Sequence, residues 1–241
     1  MPHLPIRGVL FDVDDTLFDY SGSEEAGILA HLDELGLLAR LPGPQAAVDL
    51  WRTVMEAQYA RFLAGELTFR GQQGERTRQF LARLGEPGAE RLSDEAAAAW
   101  FAGYAAHRDA ARAAFPDAAP ALAGLPPHLR LGVVSNSSAD HQRDKLRAIG
   151  LLDRVGAVLV CSDQHGEPKP APSIFHAGCA GLGLAPHEVA YVGDNYALDA
   201  EGARDAGLHA FWLDRTASGA PVGEGIRVLH SLDGLARALT A

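Results

Sequence analysis

Short apolar runs alternate along the chain with longer segments of helical periodicity. The runs lie at residues 6–12, 129–135, 156–162, 189–194 and 208–214, and each has the length and apolar content of a buried β-strand. Strands that alternate with helical segments are typical of βαβ units, in which right-handed crossovers join parallel strands. We therefore predict an α/β fold built on a doubly wound parallel sheet, with the carboxyl ends of these strands along one edge.

The segment between residues 21 and 112 breaks this alternation. It contains helix-periodic stretches separated by Pro and Gly, and it has no convincing strand pattern. The pattern predicts a helical bundle inserted shortly after the first strand. We expect two domains, an α/β core made of residues 1–20 and 113–241 and a helical domain at residues 21–112.

The composition is that of a soluble globular protein with a sizeable core. The 241 residues are 47% hydrophobic, and the mean hydropathy is −0.04. No apolar run approaches the roughly 20 residues that span a bilayer, and the first residues lead into a strand pattern instead of a signal peptide. Cys161 and Cys179 show no CxxC spacing and are expected to be packed thiols. We expect a cytoplasmic protein without a membrane partner.

The negative net charge of the chain limits the classes of partner that it can bind. A formal net charge of −10 argues against a nucleic-acid polymer, because duplex binding requires clustered Lys and Arg, but small phosphorylated substrates remain compatible. Lysine is rare, with two lysines against 19 arginines. Lys145 lies in a helical pattern and is expected to face solvent. Lys169 lies between Pro168 and Pro170 in a turn-like segment, where the fixed φ angles of the prolines can stiffen the loop that aims it.

The densest acidic cluster follows the first predicted strand, in the segment FDVDDTLFD. Asp12 and Asp14 are two residues apart and point in the same general direction. One carboxylate can therefore act as a nucleophile while the other acts as a general acid or base. A carboxylate that attacks an anionic phosphate needs a cation such as Mg²⁺ to offset their repulsion, and the product would be an aspartyl phosphate. Taken alone, the cluster also fits ordinary turn and helix capping.

An EF-hand calcium loop is a third interpretation of the same acidic segment. It does not fit, because a strand instead of a helix precedes Asp12. In addition, Leu17 and Ser23 occupy the positions where such a loop needs a glycine and a glutamate.

Two further polar segments can bind phosphate. The hydroxyl of Ser135, the next backbone N–H and the amide of Asn136 lie at a predicted strand end and can hold phosphate oxygens, although the same residues fit a turn or helix N-cap. The ammonium of Lys169 can neutralise Asp12 and the phosphate, or it can be a solvated loop lysine.

A second acidic segment can complete a metal site. Asp194 directly follows a predicted strand and offers a hard oxygen ligand. Asp199, five residues later, can bind the metal through water or orient Lys169. A helix cap is the alternative for Asp194.

Four segments, DVDDT, VVSN, EPKP and VGDNYALD, each predicted at a strand end, together resemble the signature motifs of the haloacid dehalogenase (HAD) superfamily. The resemblance covers the whole core, which it implies is Rossmann-like, and the inserted helices resemble the C1-type cap of phosphatase subfamily I. It implies a Mg²⁺-dependent phosphoric monoester hydrolase that acts on a small phosphorylated metabolite and is a monomer or homodimer.

The resemblance also implies roles for the first motif. Asp12 matches the nucleophile and a Mg²⁺ ligand, Asp14 matches the acid/base that also ligates the metal through its carbonyl, and Thr16 matches the support of that loop. The 2-haloacid dehalogenases lack an acidic residue two places after the nucleophile and need no metal. The presence of Asp14 therefore favours hydrolysis of a phosphate ester.

The other three motifs receive their roles in the same way. Ser135 matches the phosphate-binding hydroxyl, with Asn136 beside it in the same pocket. Lys169 matches the charge-neutralising lysine. Asp194 matches the metal carboxylate, and Asp199 matches its supporting acid.

Several alternatives stay open at this point. A phosphomutase of the β-phosphoglucomutase type shares Asp14, and a non-catalytic binding module of the same fold would differ only by decayed motifs, of which none is found. Residues 65–85 are similar to the caps of nucleotidase-like and N-acetylneuraminate-9-phosphatase-like members, and Arg70, Arg76 and Arg78 either reach the substrate or are solvated. Nucleoside monophosphates, sugar phosphates and phosphoglycolate all remain candidate substrates.

Overall fold

The computed structural model describes residues 6–240, with Leu63 described by its backbone alone. The described residues form two compact units. The core unit contains the described residues up to Tyr20 together with those from Arg112 onward, and the helical unit is Ser21–Ala111.

The core unit contains a six-stranded parallel sheet with the strand order β3-β2-β1-β4-β5-β6. Its strands are β1 (Gly8–Phe11), β2 (Arg130–Ser135), β3 (Leu159–Cys161), β4 (Val189–Gly193), β5 (His209–Leu213) and β6 (Ile226–Leu229). The predicted α/β fold with a doubly wound parallel sheet is therefore confirmed. The pattern missed β6, which lies at the sheet edge and has only four residues, too few to show a period.

Helices surround the sheet and build the second unit. The α-helices are α1 (Tyr20–Glu34), α2 (Pro44–Leu63), α3 (Phe69–Arg83), α4 (Asp94–Ala110), α5 (Ala118–Gly124), α6 (Ala139–Ala148), α7 (Leu152–Val155), α8 (Ser162–His165), α9 (Pro172–Leu182), α10 (Gly202–Asp205) and α11 (Leu235–Ala238). Short 3₁₀ turns lie at Leu38–Arg40, Ala89–Arg91, Pro186–Glu188 and Leu232–Gly234, and a π-helical turn lies at Tyr196–Glu201. Across residues 6–240, no helix combines the length and the apolar character that crossing a membrane requires.

The sheet is buried on both faces, which explains why its strands are continuous apolar runs. Along β1, Val9 and Phe11 pack into one apolar cluster and Leu10 packs into the other, because successive side chains of a strand point to opposite faces. Strand β1 pairs with both β2 and β4 and is therefore central. Asp12, directly after β1, donates its backbone N–H to the carbonyl of Val192 at 2.9 Å. The central strand thus ends in a buried carboxylate.

The helical unit has its own apolar core around Trp51, and residues 21–111 contain no β-strand. Arg76 is buried in this core, where its guanidinium donates to Glu24 at 2.8 Å and lies 3.8 Å from the ring centre of Trp51. Arg78 donates to the carbonyl of Leu92 at 2.9 Å. The interpretation of these arginines as solvated is therefore wrong for Arg76, whose burial follows from the tertiary contacts of α3.

Candidate active site

Polar side chains from three adjacent strands meet at the carboxyl edge of the sheet. Asp12 follows β1, Ser135 ends β2 and Asp194 follows β4. In the strand order, β1 lies between β2 and β4, so Asp12 lies between the other two positions. The carboxyl edge, and above all the place where the strand order reverses, is where open α/β sheets bind ligands.

Lys169 lies at the centre of a buried network. Its ammonium donates to Oδ1 of Asp12 at 2.7 Å, to Oδ1 of Asp199 at 2.7 Å and to the hydroxyl of Tyr191 at 3.0 Å. These contacts use all three N–H donors, so the alternative of a solvated loop lysine does not hold. The prediction that this motif lies at a strand end is also wrong, because α8 and a loop separate Lys169 from β3.

The carboxylates around this lysine carry more negative charge than it can balance. Oxygens of Asp12, Asp194 and Asp199 lie within 4.8 Å of one another. Burial raises the pKa of Asp12 well above its usual range although Lys169 opposes the shift, and burial together with Asp199 raises the pKa of Asp194 to about 7. Burial lowers the pKa of Lys169, but Asp12 and Asp199 outweigh it and the net pKa lies well above its usual range.

This cluster fits a small divalent cation. Hard carboxylate oxygens are the ligands that Mg²⁺ prefers, and a divalent charge would compensate the acidic excess. Within residues 6–240, Asp12, Asp194 and Asp199 form a compact acidic group, and Asp199 also contacts Lys169. Asp12 and Asp194 are therefore candidate carboxylate ligands, and their role in binding a metal stays a prediction.

The carboxylate of Asp14 has contacts of its own. The ammonium of Lys145 lies 2.5 Å from Oδ1, and Nε2 of Gln142 donates to Oδ2 at 2.9 Å. The same Nε2 lies 2.8 Å from Oγ of Ser135. The expectation that Lys145 faces solvent is wrong, since this lysine is buried against a residue 131 positions earlier, which helical periodicity cannot reveal.

Two side chains fix the position of Asp194. The hydroxyl of Thr16 donates to Oδ1 of Asp194 at 3.3 Å and accepts from its backbone N–H at 3.1 Å. The indole N–H of Trp212 donates to the carbonyl of Asp194 at 2.8 Å. Thr16 thus links the loop after β1 to the loop after β4.

Arg215 stabilises the loop after β1 through hydrogen bonds to its backbone. Its guanidinium donates to the carbonyls of Asp15 at 3.4 Å and of Thr16 at 2.7 Å, and it pairs with both oxygens of Asp117 at 2.9 and 3.1 Å. Asp15 has a φ of 55°, a left-handed conformation that Asp tolerates better than most residues. The arginine therefore supports a tight turn directly after Asp14.

Asn136 holds the segment that carries the buried lysine. Its Nδ2 donates to the carbonyl of Lys169 at 3.0 Å, and its Oδ1 accepts from the N–H of Lys169 at 2.6 Å. Both polar atoms of the Asn136 amide are thus used within the protein. Its predicted contribution to the phosphate pocket would come from its backbone N–H.

Asp199 is held close to the sheet because β4 ends in glycine. Its Oδ1 accepts from the hydroxyl of Tyr191 at 3.0 Å, and its Oδ2 accepts from the N–H of Asn195 at 3.0 Å. A Cβ on Gly193 would lie 2.5 Å from Oδ2 of Asp199, closer than such atoms can approach. Any larger residue at position 193 must therefore displace this carboxylate.

We expect Gly193→Ala to lower kcat/KM for a phosphate ester by about tenfold or more, since displacing Asp199 also disturbs Lys169. The overpacking should lower the free energy of unfolding by about 1–3 kcal/mol. Steady-state kinetics and thermal unfolding measure the two effects. Gly124→Ala is the matched control, because no atom lies within 4 Å of the added Cβ. Unchanged kinetics in Gly193→Ala would mean that the position of Asp199 does not matter.

The chain matches a family described as haloacid dehalogenase-like hydrolase over residues 6–207. Among curated proteins, it is 32% identical over 207 residues to the glyceraldehyde 3-phosphate phosphatase of Methanopyrus kandleri, covering 84% of this chain and 82% of that one. It is 27% identical over 216 residues to human N-acylneuraminate-9-phosphatase, covering 87% of this chain and 83% of that one.

Solved structures of similar fold include a HAD-hydrolase and a dehalogenase. The chain aligns with the HAD-hydrolase YfnB from Bacillus subtilis, solved with bound magnesium, at a TM-score of 0.75 and 19% identity, covering 99% of this chain and 100% of that one. It aligns with the L-2-haloacid dehalogenase RSc1362 at a TM-score of 0.69 and 26% identity, with the same coverage of 99% and 100%.

Proposed function

Because the chain belongs to the haloacid dehalogenase-like hydrolase family, we propose that it is a Mg²⁺-dependent phosphatase that hydrolyses a small phosphate monoester through an aspartyl phosphate on Asp12. The family membership confirms the resemblance to the haloacid dehalogenase superfamily, and the two curated relatives named above are phosphatases, which agrees with a phosphoric monoester hydrolase. The observation that carries the proposal is the buried cluster in which Lys169 contacts Asp12 and Asp199 beside Asp194.

Magnesium fits the donor set that this cluster offers. We propose that Asp12 and Asp194 hold the ion with their carboxylates, together with the backbone carbonyl of Asp14. Bound there, Mg²⁺ supplies the positive charge that lets an anionic nucleophile approach an anionic phosphate. Asp199 acts indirectly, because its oxygens accept from Lys169 and from the backbone of Asn195.

The first chemical step transfers the phosphoryl group to the protein. A carboxylate oxygen of Asp12 bonds to phosphorus, the bond from phosphorus to the leaving oxygen breaks, and that oxygen takes a proton from Asp14. Lys169 keeps the nucleophile in place by its contact with Oδ1. The hydroxyl of Ser135 and the backbone N–H of Asn136 bind phosphate oxygens as charge develops on them.

The second step releases inorganic phosphate. A water molecule gives a proton to Asp14 while its oxygen bonds to phosphorus, and the bond from phosphorus to Asp12 breaks. Asp12 is then a free carboxylate again, and Asp14 carries the proton that the next leaving group needs. The two steps together consume one water molecule per ester.

Dehalogenation is the second chemistry that a protein of similar fold performs. A halide leaves without needing a proton, so a haloacid dehalogenase has no use for an acid beside its nucleophile. Asp14 occupies that position in this chain and is held there by two side chains. This favours the phosphatase.

We further propose that the helical unit acts as the cap that selects the substrate, a small phosphorylated metabolite. Arg76 and Arg78 bind partners inside that unit, so we assign them to its structure and not to recognition. The named substrates of the two relatives differ, and the substrate class therefore needs a direct screen. The two buried free cysteines suit a reducing compartment and support the cytoplasm as its location.

Hydrolysis of p-nitrophenyl phosphate tests the proposal. The protein is freed of metal with a chelator, and release of p-nitrophenol is then measured with and without added Mg²⁺, followed by a panel of sugar, nucleoside and three-carbon phosphates. We expect turnover that depends on Mg²⁺. Halide release from 2-chloropropionate, or turnover on no phosphate in the presence of Mg²⁺, would contradict the assignment. Transfer of phosphate to a second sugar position instead of to water would identify a phosphomutase.

A further inference from the structure

Both lysines of this lysine-poor chain are buried against aspartates of the same loop. Lys145 and Lys169 are each 4% exposed, and they contact Asp14 and Asp12 respectively. Lys145 also lies 5.3 Å from the ring centre of Phe18. Burying an ammonium costs free energy, and replacing a buried ion pair by apolar side chains is often neutral or stabilising. Stability alone therefore does not explain why residue 145 is a lysine.

Gln142 connects Asp14 to the end of the neighbouring strand. Its Nε2 carries two hydrogens, and it donates one to Asp14 at 2.9 Å and the other to Oγ of Ser135 at 2.8 Å. The carboxylate accepts hydrogen bonds, which fixes the orientation of the amide. Since Oγ of Ser135 is used as an acceptor here, the hydroxyl hydrogen of Ser135 is free to be donated to a phosphate oxygen.

Hydrogen bonds at its N-terminus fix the position of helix α6, which carries Gln142 and Lys145. The hydroxyl of Ser138 accepts from the N–H of His141 at 3.4 Å and caps the helix, and the carboxylate of Asp163 accepts from the N–H of Ala139 at 3.2 Å. Gln142 and Lys145 are three residues apart, which places them on one face of the helix. One helical face therefore holds both oxygens of the Asp14 carboxylate.

We propose that Gln142 and Lys145 are positioning residues of the phosphatase, which hold the carboxyl group of Asp14 for proton transfer to the leaving oxygen and aim the hydroxyl of Ser135 at the phosphate. This inference rests on the proposed function, in which Asp14 gives its proton to the leaving oxygen while the bond to phosphorus breaks. A carboxylate fixed at both oxygens loses little further freedom in that step. In this role both residues act through Asp14 and Ser135.

The leaving group of the substrate distinguishes this role from a structural one. p-Nitrophenolate leaves without a proton, whereas the alcohol of glycerol 2-phosphate needs one. The ratio kcat/KM reports on the steps up to formation of the aspartyl phosphate. For Lys145→Met, we expect kcat/KM to fall about 10- to 100-fold for glycerol 2-phosphate and to stay within about threefold for p-nitrophenyl phosphate. Asp14→Asn should show the same preference with a larger loss.

Three further variants keep the test decisive. Lys145→Arg retains a cation beside Asp14 and should restore most of the activity on glycerol 2-phosphate. Gln142→Leu should show the same leaving-group preference as Lys145→Met and, through Ser135, a higher KM for both substrates. Arg147→Met is the matched control, because this cation lies on the same helix with its side chain 63% exposed. It should behave like the parent.

The possible failures can be told apart. Equal losses on both substrates for Lys145→Met and Gln142→Leu, in folded variants of an active parent, would overturn the positioning role alone. A parent that hydrolyses neither ester, or that stays active after Asp12→Asn, would instead overturn the proposed function on which the role depends. Thermal unfolding establishes that each variant is folded before its kinetics are compared.

Discussion

Asp12→Asn is expected to lower kcat by about 10⁴-fold or more, since removing a covalent nucleophile abolishes the step on which all others depend. The amide has nearly the shape of the carboxylate but cannot form the aspartyl phosphate. Hydrolysis of p-nitrophenyl phosphate in saturating Mg²⁺ measures the loss. Mass analysis of acid-quenched parent enzyme should find one phosphoryl group on the peptide that contains Asp12, and the variant should have none.

The fold is expected to survive this substitution. Lys169 keeps its contact with Asp199, and the loss of one carboxylate relieves a cluster that carries too much negative charge. The melting temperature should therefore not fall. Asp153→Asn is the control for the change of carboxylate to amide, because Asp153 lies exposed in α7. A variant that keeps both its turnover and its phosphoryl label would place the nucleophile elsewhere.

Asp194→Asn is expected to remove the response to magnesium and to lower activity by more than about 100-fold. Mutating a residue that only orients a metal ligand costs about 10- to 100-fold in metal affinity or activity, and losing the ligand itself should cost at least as much. Titration of Mg²⁺ against activity, and against the melting temperature, measures the loss. The parent should gain stability with Mg²⁺, since a ligand that binds only the native state stabilises it. An unchanged magnesium response would remove Asp194 from the metal site.

The same variant should weaken the pH dependence of stability in the chelated protein. Burial is the main cause that raises the pKa of Asp194 to about 7 in the folded protein. In an unfolded chain the pKa of an Asp carboxyl is about 4. Ionisation is thus unfavourable in the native state, and the parent loses stability as pH rises between these values and stays lower above them. Without metal, Asp194→Asn should melt above the parent at about pH 8 and near it at about pH 4. The opposite order would contradict the burial argument.

The sheet could be predicted because strands buried on both faces read as continuous apolar runs, and their shared carboxyl edge then placed Asp12, Ser135 and Asp194 together. What failed depends on contacts between distant parts of the chain. Lys145 reads as a solvated helical residue because periodicity describes only its own helix, yet it ends against Asp14. The rarity of lysine, two residues against 19 arginines, is a signal that applies to Lys145 as much as to Lys169.

Tyr191, Trp212 and Arg215 show the same difficulty. Each lies in or beside an apolar strand run, where an aromatic or a lone arginine is unremarkable, and only the folded chain brings its polar end to Lys169, Asp194 or the loop after β1. The local pattern indicated the candidate catalytic residues by their type and spacing. The local pattern could not predict the residues that position these side chains, because their role depends on contacts between distant parts of the sequence.

The burial of both lysines protects their side chains from amine-directed reagents. Surface positive charge is carried by arginine, so acylating or ubiquitin-conjugating reagents meet no accessible lysine side chain in the folded protein. Modification of Lys145 or Lys169 must wait for a local opening of the carboxyl edge of the sheet. The rate at which an amine-directed label modifies either lysine therefore measures how often this edge of the sheet opens locally.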